Sequence, residues 1–465
     1  MARQRERSWP RSLWLEHAFI PAILGGVGYA LIFLYYNGYL PQPFFYEPAG
    51  TFMDWFSLAY WARHVGAFDV EGAIYPPISF LVLRLIGDDR CYLLDGVEPR
   101  ACDWHSLVAI GVIYVVDVIL TAVIFFKLDR RTALPRAIAV AVGLPMLYAV
   151  ERGNLVTLCF AFLMLAYGPL LRSARLRWLC AGIAVNFKVY LIAGILAPLL
   201  KRRWLAVEGA LVSVVAVYGL TWWLFGSGSP IEIYDNIRQF SSSFVAGGPL
   251  DLWYPSSYNT AIALLRGTNF PITAIIGSRP ADLGVLFLEL FTNFNRLAIM
   301  AAALAIWLRP EVVPLHRVVF FGIAFALMTS EAGGYTEILL LPFVFMETWR
   351  GIARPAALLL AYVLCIPMEI VVASLPSGVV RESYLGGREV IAFYGVGLMS
   401  LLRPGLIQLI STLLAAATLH DVWRDVRVQG WRQRWRFRRD MVILPGVLRP
   451  VMPSGDVATP NSERQ

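Results

Sequence analysis

Long apolar runs separated by short arginine-rich blocks constrain this chain more than any other feature it has. Runs of about twenty apolar residues, such as Leu15 to Tyr36 and Leu205 to Phe225, match the thickness of a bilayer core. Between them stand Arg3, Arg5, Arg7 and Arg11; Arg130, Arg131 and Arg136; Arg172, Arg175 and Arg177; Lys201, Arg202 and Arg203; and the stretch Arg424 to Arg439. That is the pattern the positive-inside bias leaves, so these blocks mark the cytoplasmic face. Topology alone accounts for them, and contact with anionic headgroups is their further reading. Composition agrees: of 465 residues, 58% are hydrophobic and 15% charged, where a soluble chain carries about a quarter charged. The net charge of +8 is therefore a membrane signature. Nucleic acid is excluded as a partner, and membrane lipids are expected.

Following the charge rule along the chain gives about twelve crossings or half-crossings, with both termini cytoplasmic. The first runs from Leu15 to Tyr36 and lacks an Ala-x-Ala-like cleavage site, so it is expected to be retained. A polar and aromatic external stretch follows from Asn37 to Pro77. Ile78 to Ile86 is too short to cross and contains Arg84, which suits an interfacial or re-entrant helix. Ser106 to Phe126 returns. Ala137 to Val150 and Leu155 to Leu171 form a short pair around the turn Glu151-Arg-Gly-Asn154. Trp178 to Leu200 as one span would put Lys201-Arg-Arg203 outside. Two short helices broken near Asn186-Phe-Lys188 restore the parity, and such irregular backbone needs protein or a water-filled cavity around it. Leu205 to Phe225 exits to a second external region reaching Pro280. Leu297 to Leu308 ends a returning span, a short pair turns at Glu331 to Tyr335, Ala356 to Leu375 exits, and Leu406 to Leu419 returns after a polar loop from Pro376 to Arg403. No fixed-period repeat is visible. The expectation is an all-α polytopic membrane domain over 1–429 and a basic, then polar, cytoplasmic tail over 430–465 that is surface-bound or frayed.

Cys159, Cys180 and Cys365 lie within apolar runs and read as packing residues. Cys91 and Cys102 flank a polar external segment; spacing leaves their pairing open. His17, His64, His105, His316 and His420 show no ligand spacing, and the adjacent acids Asp88 and Asp89 read as solvated, so neither a metal nor any cofactor is expected. Asp117 and Glu369 fall in apolar runs, where ionisable groups suggest an ion or proton path.

Two residues stand out for chemistry. Asp54 lies in Met53-Asp-Trp-Phe-Ser-Leu-Ala-Tyr-Trp-Ala-Arg63, an external stretch with helical spacing whose Trp55, Tyr60 and Trp61 suit headgroup depth. A carboxylate held there can serve as general base toward a hydroxyl; a helix cap or a solvated acid is the plainer alternative. Lys188 sits at the suspected break, where a cation is costly unless it has a task.

The order Asp54-Trp-Phe…Ala62-Arg63 and Tyr75-Pro-Pro77, then Gly153-Asn154, then Ala184-Val-Asn-Phe-Lys188-Val-Tyr190 followed by Lys201-Arg-Arg-Trp204, resembles glycosyltransferase family 87. Ser257-Tyr-Asn259…Arg266 is a looser match. The family has the C-type glycosyltransferase architecture and uses polyprenyl-phosphate sugars. One departure is late: where many members carry a histidine pair, this chain has Gly334-Tyr335-Thr336-Glu337, leaving Tyr335, Glu331 and Glu337 as the residues available to substitute.

The resemblance implies a polyprenyl-phosphate-sugar donor, mannose-like or arabinofuranose-like, and an extracytoplasmic glycolipid or glycan acceptor. It implies Asp54 as the base of an inverting, metal-independent displacement. Lys188, Arg152 and Arg238 would hold the donor phosphate, and Asn154, Tyr75, Tyr335 and Glu331 would contact substrate. The expected place is a bacterial inner membrane, with the site facing the periplasm; only Lys127, Lys188 and Lys201 stand against many arginines, a bias of GC-rich bacterial genomes. The rival is a secondary transporter or lipid-linked-sugar flippase. Asp117 and Glu369 favour it, and the absence of matched interrupted segments in two halves opposes it.

Overall fold

A computed structural model describes residues 10–44, 50–93, 98–243, 254–266, 276–329, 333–374, 378–393 and 395–430. Among the described residues, six helices are long and apolar enough to cross a membrane: Trp14–Asn37, Trp104–Leu128, Ala133–Glu151, Trp204–Phe225, Ser278–Leu308 and Leu398–Gln429. Six shorter apolar helices accompany them: Pro77–Ile86, Val156–Tyr167, Val189–Lys201, Leu315–Met328, Gly334–Phe345 and Ala353–Leu364. The chain is an all-α polytopic membrane protein. The tail expected from Gly430 onward lies, past Gly430 itself, outside the described residues.

Long and short helices differ in what they touch. Along Trp104–Leu128 and Trp204–Phe225, Val112, Val116, Val215 and Trp223 are exposed, and apolar side chains turned outward in this way need lipid around them. The short helices are the interior: Leu341 to Phe345 is buried at every position, as are Phe160, Leu163 and Met164. Because protein surrounds them, these pieces can end mid-depth without exposing backbone to lipid. Close backbone approach assists. Gly182 on Ala174–Phe187 lies where an added Cβ would sit 2.7 Å from the Ser213 Cβ of the neighbouring long helix, the small-residue contact that membrane helices favour.

The break expected near Lys188 is present. Ala174–Phe187 ends at Lys188, whose φ of −139° and ψ of 103° are extended, and the chain resumes as Val189–Leu191, Ile192–Leu196 and Ala197–Lys201. Pro77–Ile86 is short, as expected, and buries Phe80 and Leu83, with Phe80 stacked on Phe225.

Three expectations need correction. The exit read from Ala356 to Leu375 is a helix only over Ala353–Leu364. The end of that expected exit and the expected loop from Pro376 to Arg403 together form two antiparallel strand pairs, Val371–Ser374 with Gly395–Gly397 and Val379–Glu382 with Glu389–Ala392, and the last helix begins already at Leu398. Glu369, expected at membrane depth, follows the helix end and pairs with Arg403 at 2.8 Å, while its other oxygen accepts from the Ile370 and Met399 amides. The strand pairs dock on the first helix's end: Tyr384 N and Ser383 Oγ donate to Gly38 O, and Thr51 bonds Tyr384 at 2.5 Å.

At the arginine-rich end, buried ion pairs tie distant helices. Arg136 makes two 2.8 Å bonds to Glu16, which also accepts from Trp349 and, at 2.6 Å, from Tyr362. Arg317 bonds Glu347 at 2.6 Å and Asp421 at 3.0 Å; His316 and Arg354 close the cluster. Burial raises the Glu347 carboxyl, but the bonds and charges of His316 and Arg317 outweigh it and hold the group at about 2.

Candidate functional site

The site is assembled where the loop before Met53–Trp61 meets the turn after Leu144–Glu151. Two backbone bonds clasp them: Phe52 N to Glu151 O at 2.7 Å and Asp54 N to Arg152 O at 3.1 Å. The clasp needs Gly153. Its φ is +61°, and an added Cβ would lie 3.0 Å from both Phe52 Cα and Trp55 Cβ, so a side chain would be strained and crowded. Trp55, expected at headgroup depth, is instead fully buried beneath this contact.

Asp54 is held from both sides. Arg152 Nη2 donates to Oδ1 at 2.6 Å, and Asn154 Nδ2 donates to Oδ2 at 2.7 Å. Arg152 is fixed in turn by Gly50 O at 3.1 Å. Asn154 Oδ1 accepts from Val156 N at 2.9 Å at the start of Val156–Tyr167, which settles which way its amide points. The Asp54 side chain keeps 20% of its exposure against 12% for Arg152, so the carboxylate is the reachable member of the pair. An ionised carboxylate has about four lone-pair sites, and two donors leave room for a third.

A second pole is cationic. Lys188, buried at the helix break, donates to Tyr75 Oη at 2.8 Å and lies 5.7 Å from the Tyr335 ring centre. Among the described residues it makes no ion pair. Burial, reinforced by the Asp54 charge, pushes the Tyr75 phenol well above its usual range, with the neighbouring Asn154 amide working the other way. Tyr75 therefore sits between the poles as a neutral hydroxyl. Tyr335 stacks on Tyr148, Tyr148 meets Tyr254 edge-on, and Tyr254 reaches Glu337 at 3.2 Å. The 3₁₀ segment Gly334–Leu339 is pinned beneath by Gly334 N to Tyr254 O at 2.6 Å.

Beside this lies a braced loop. Cys91 and Cys102 form a disulfide with a Cα–Cα distance of 5.6 Å. Asp103 accepts from Ser106 N and Oγ and from Tyr92. Arg63 bonds Asp89 at 2.7 Å and caps the carbonyls of Leu83, Arg84 and Gly87.

Residues 73–331, more than half of the chain, match the model of glycosyltransferase family 87. The chain belongs to this family. It is a membrane glycosyltransferase of the C-type architecture, acting with donor and acceptor substrates among membrane lipids. No curated protein and no solved structure matches it. The family match includes Tyr75, Arg152, Asn154 and Lys188 and begins after Asp54, so Asp54 rests on its geometry.

Of the residues singled out in this family-87 sequence, Asp54, Arg152, Asn154, Tyr75, Lys188 and Tyr335 come together. Arg238 does not: it is exposed on Pro230–Ser243 and joins none of these bonds, although Asn236 of that helix holds the Phe68 and Ala73 carbonyls. Glu331 lies outside the described residues. Arg152, expected on the donor phosphate, is bonded to Asp54. Tyr148 was missed because an aromatic inside an apolar run reads as core. Among the described residues no group of three metal-ligating side chains occurs.

Proposed function

We propose that this glycosyltransferase moves a mannose-like or arabinofuranose-like sugar from a polyprenyl-phosphate donor to a hydroxyl of an extracytoplasmic glycolipid or polysaccharide, with inversion and without a metal. The observation that carries it is the two-pole geometry: an oriented, partly exposed carboxylate beside a buried lysine that, among the described residues, has no acid partner. Asp54 takes the acceptor's hydroxyl proton while the acceptor oxygen bonds the anomeric carbon. The bond from that carbon to the phosphate oxygen breaks, and its electron pair leaves as lipid phosphate. Lys188 meets the growing negative charge there. Arg152 and Asn154 position Asp54, and Tyr75 joins the two poles. Tyr148 and Tyr335 supply an aromatic wall for the sugar, and Arg238 adds positive charge on a neighbouring helix. The setting is a bacterial inner membrane with the site on the periplasmic side, the arginine-rich end facing the cytoplasm and the Cys91–Cys102 bond in an oxidising compartment.

One observation favours the transporter reading. Asp117 is fully buried on Trp104–Leu128, and among the described residues neither carboxylate oxygen has a hydrogen-bond partner. Purified protein given a polyprenyl-phosphate sugar and an acceptor lipid separates the two. Release of lipid phosphate that is lost in Asp54→Asn and kept in Asp117→Asn supports the transferase. Sugar-lipid crossing a vesicle membrane uncleaved, and blocked in Asp117→Asn, supports the transporter instead.

A further inference from the structure

Lys188 and Tyr190 flank the break in the backbone, on either side of Val189. The Tyr190 hydroxyl is buried and, among the described residues, has no hydrogen-bond partner. Its electrostatic neighbours are Tyr75 and Tyr335, which flank Lys188, and the buried Cys159. A phenol is protonated at neutral pH, so this group presents a donor. Burying a donor with nothing to accept from it costs stability, and native structures satisfy nearly all such groups.

The surroundings define what can accept. Lys188 offers three donors and spends one on Tyr75. The Tyr75 oxygen already accepts from that lysine, and its own proton is a further donor. The pole therefore combines one full positive charge with unspent hydroxyl and ammonium hydrogens and, among the described residues, no carboxylate paired to the lysine. Such a set fits an anion with several acceptor oxygens. A neutral sugar hydroxyl would leave the lysine charge uncompensated, and a carboxylate would offer two terminal oxygens where the released lipid phosphate offers three.

We infer that the Tyr190 hydroxyl is a phosphate ligand, donating to an oxygen of the donor's lipid phosphate beside Lys188. This rests on the proposed function and names a contact for it. The bond strengthens as charge collects on the departing phosphate. The requirement for an acceptor also explains why a tyrosine with an unpaired hydroxyl stands in a buried wall that phenylalanine would fill as well.

Binding of a short-chain polyprenyl phosphate to the full chain in detergent, followed by tryptophan fluorescence, tests it. The matching polyprenol and inorganic phosphate serve as separate ligands. Tyr190→Phe keeps the ring and removes one unpaired buried group, so its melting temperature should equal or exceed that of the parent. It should bind the polyprenyl phosphate about tenfold more weakly, as expected for losing a hydrogen bond to a charged group, with polyprenol binding unchanged. Unchanged affinity for the polyprenyl phosphate in Tyr190→Phe, with Lys188→Met weakened, overturns the Tyr190 contact and leaves the proposed function standing. Unchanged affinity in both variants overturns the phosphate site itself. Inorganic phosphate binding as tightly as the lipid, and weakened alike in Tyr190→Phe, overturns the lipid source.

Discussion

The two ends of the molecule use the same residue types to opposite effect. At the arginine-rich end, Glu16 and Glu347 are saturated: each accepts from several donors, and their partners Arg136 and Arg317 are themselves buried. At the other end Asp54 has two donors and remaining exposure, and Lys188 has a hydroxyl where an acid would neutralise it. Saturated pairs have no capacity left for a ligand, so they tie helices together. The unsaturated pair has capacity, and the lysine has unbalanced charge. Under the proposed function, that difference assigns catalysis to the Asp54 end and the tying of helices to the other.

Substitutions break this comparison in different ways. Asp54→Asn should lower turnover by roughly 10²–10⁴-fold, the usual weight of a general base, with the melting temperature little changed; purified-enzyme kinetics and a melt measured together check both. Arg317→Met should do the reverse. Leaving Glu347 buried without its arginine costs about 3–5 kcal/mol, read as a lower melting temperature, while turnover per folded molecule stays near the parent's.

Acid should sharpen the same contrast. The Glu347 carboxyl is held at about 2 in the fold against an ordinary 4.5. A lowered carboxylate contributes stability above its ordinary value that is lost as pH falls through the folded value. Melting temperature should therefore fall as pH drops from about 4.5 toward 2, and Glu347→Gln, less stable at neutral pH, should lose part of that dependence.

Gly153→Ala carries a smaller effect. It forces a side chain into a left-handed turn against Phe52 and costs about 1–2 kcal/mol. Because that turn carries Arg152 and Asn154, activity should fall further than the melt alone explains. Asp117→Asn is the smallest: turnover should match the parent's.

Much of this was legible from the sequence, and the gaps have physical reasons. The long spans follow from hydropathy, and the break at Lys188 follows from charge parity, because an unbroken span would place Lys201-Arg-Arg203 on the wrong side. Asp54, Arg152 and Asn154 were each picked out, but not their pairing: about a hundred residues separate Asp54 from the turn, and no local pattern reports such a contact. The strand pairs near the last helix escaped notice because three or four residues alternating beside glycines carry little signal against an apolar background. Glu369 read as an intramembrane acid because its run is apolar up to Pro367; only the folded chain brings Arg403 to it. Tyr148 is hidden by the same rule that makes buried aromatics unremarkable, and Tyr190, though part of the Lys188-Val-Tyr190 motif, gives no sign in sequence that its hydroxyl is unpaired.

In the proposed reaction the donor's phosphate binds at Lys188 while Asp54 stays held by Arg152 and Asn154. A structure determined with a polyprenyl phosphate bound tests it most directly. Phosphate density is expected within hydrogen-bond reach of Lys188 Nζ, facing Asp54, with the Asp54–Arg152 pair intact. Phosphate bound among the arginines at the opposite end, or on Arg152 with that pair broken, would contradict it.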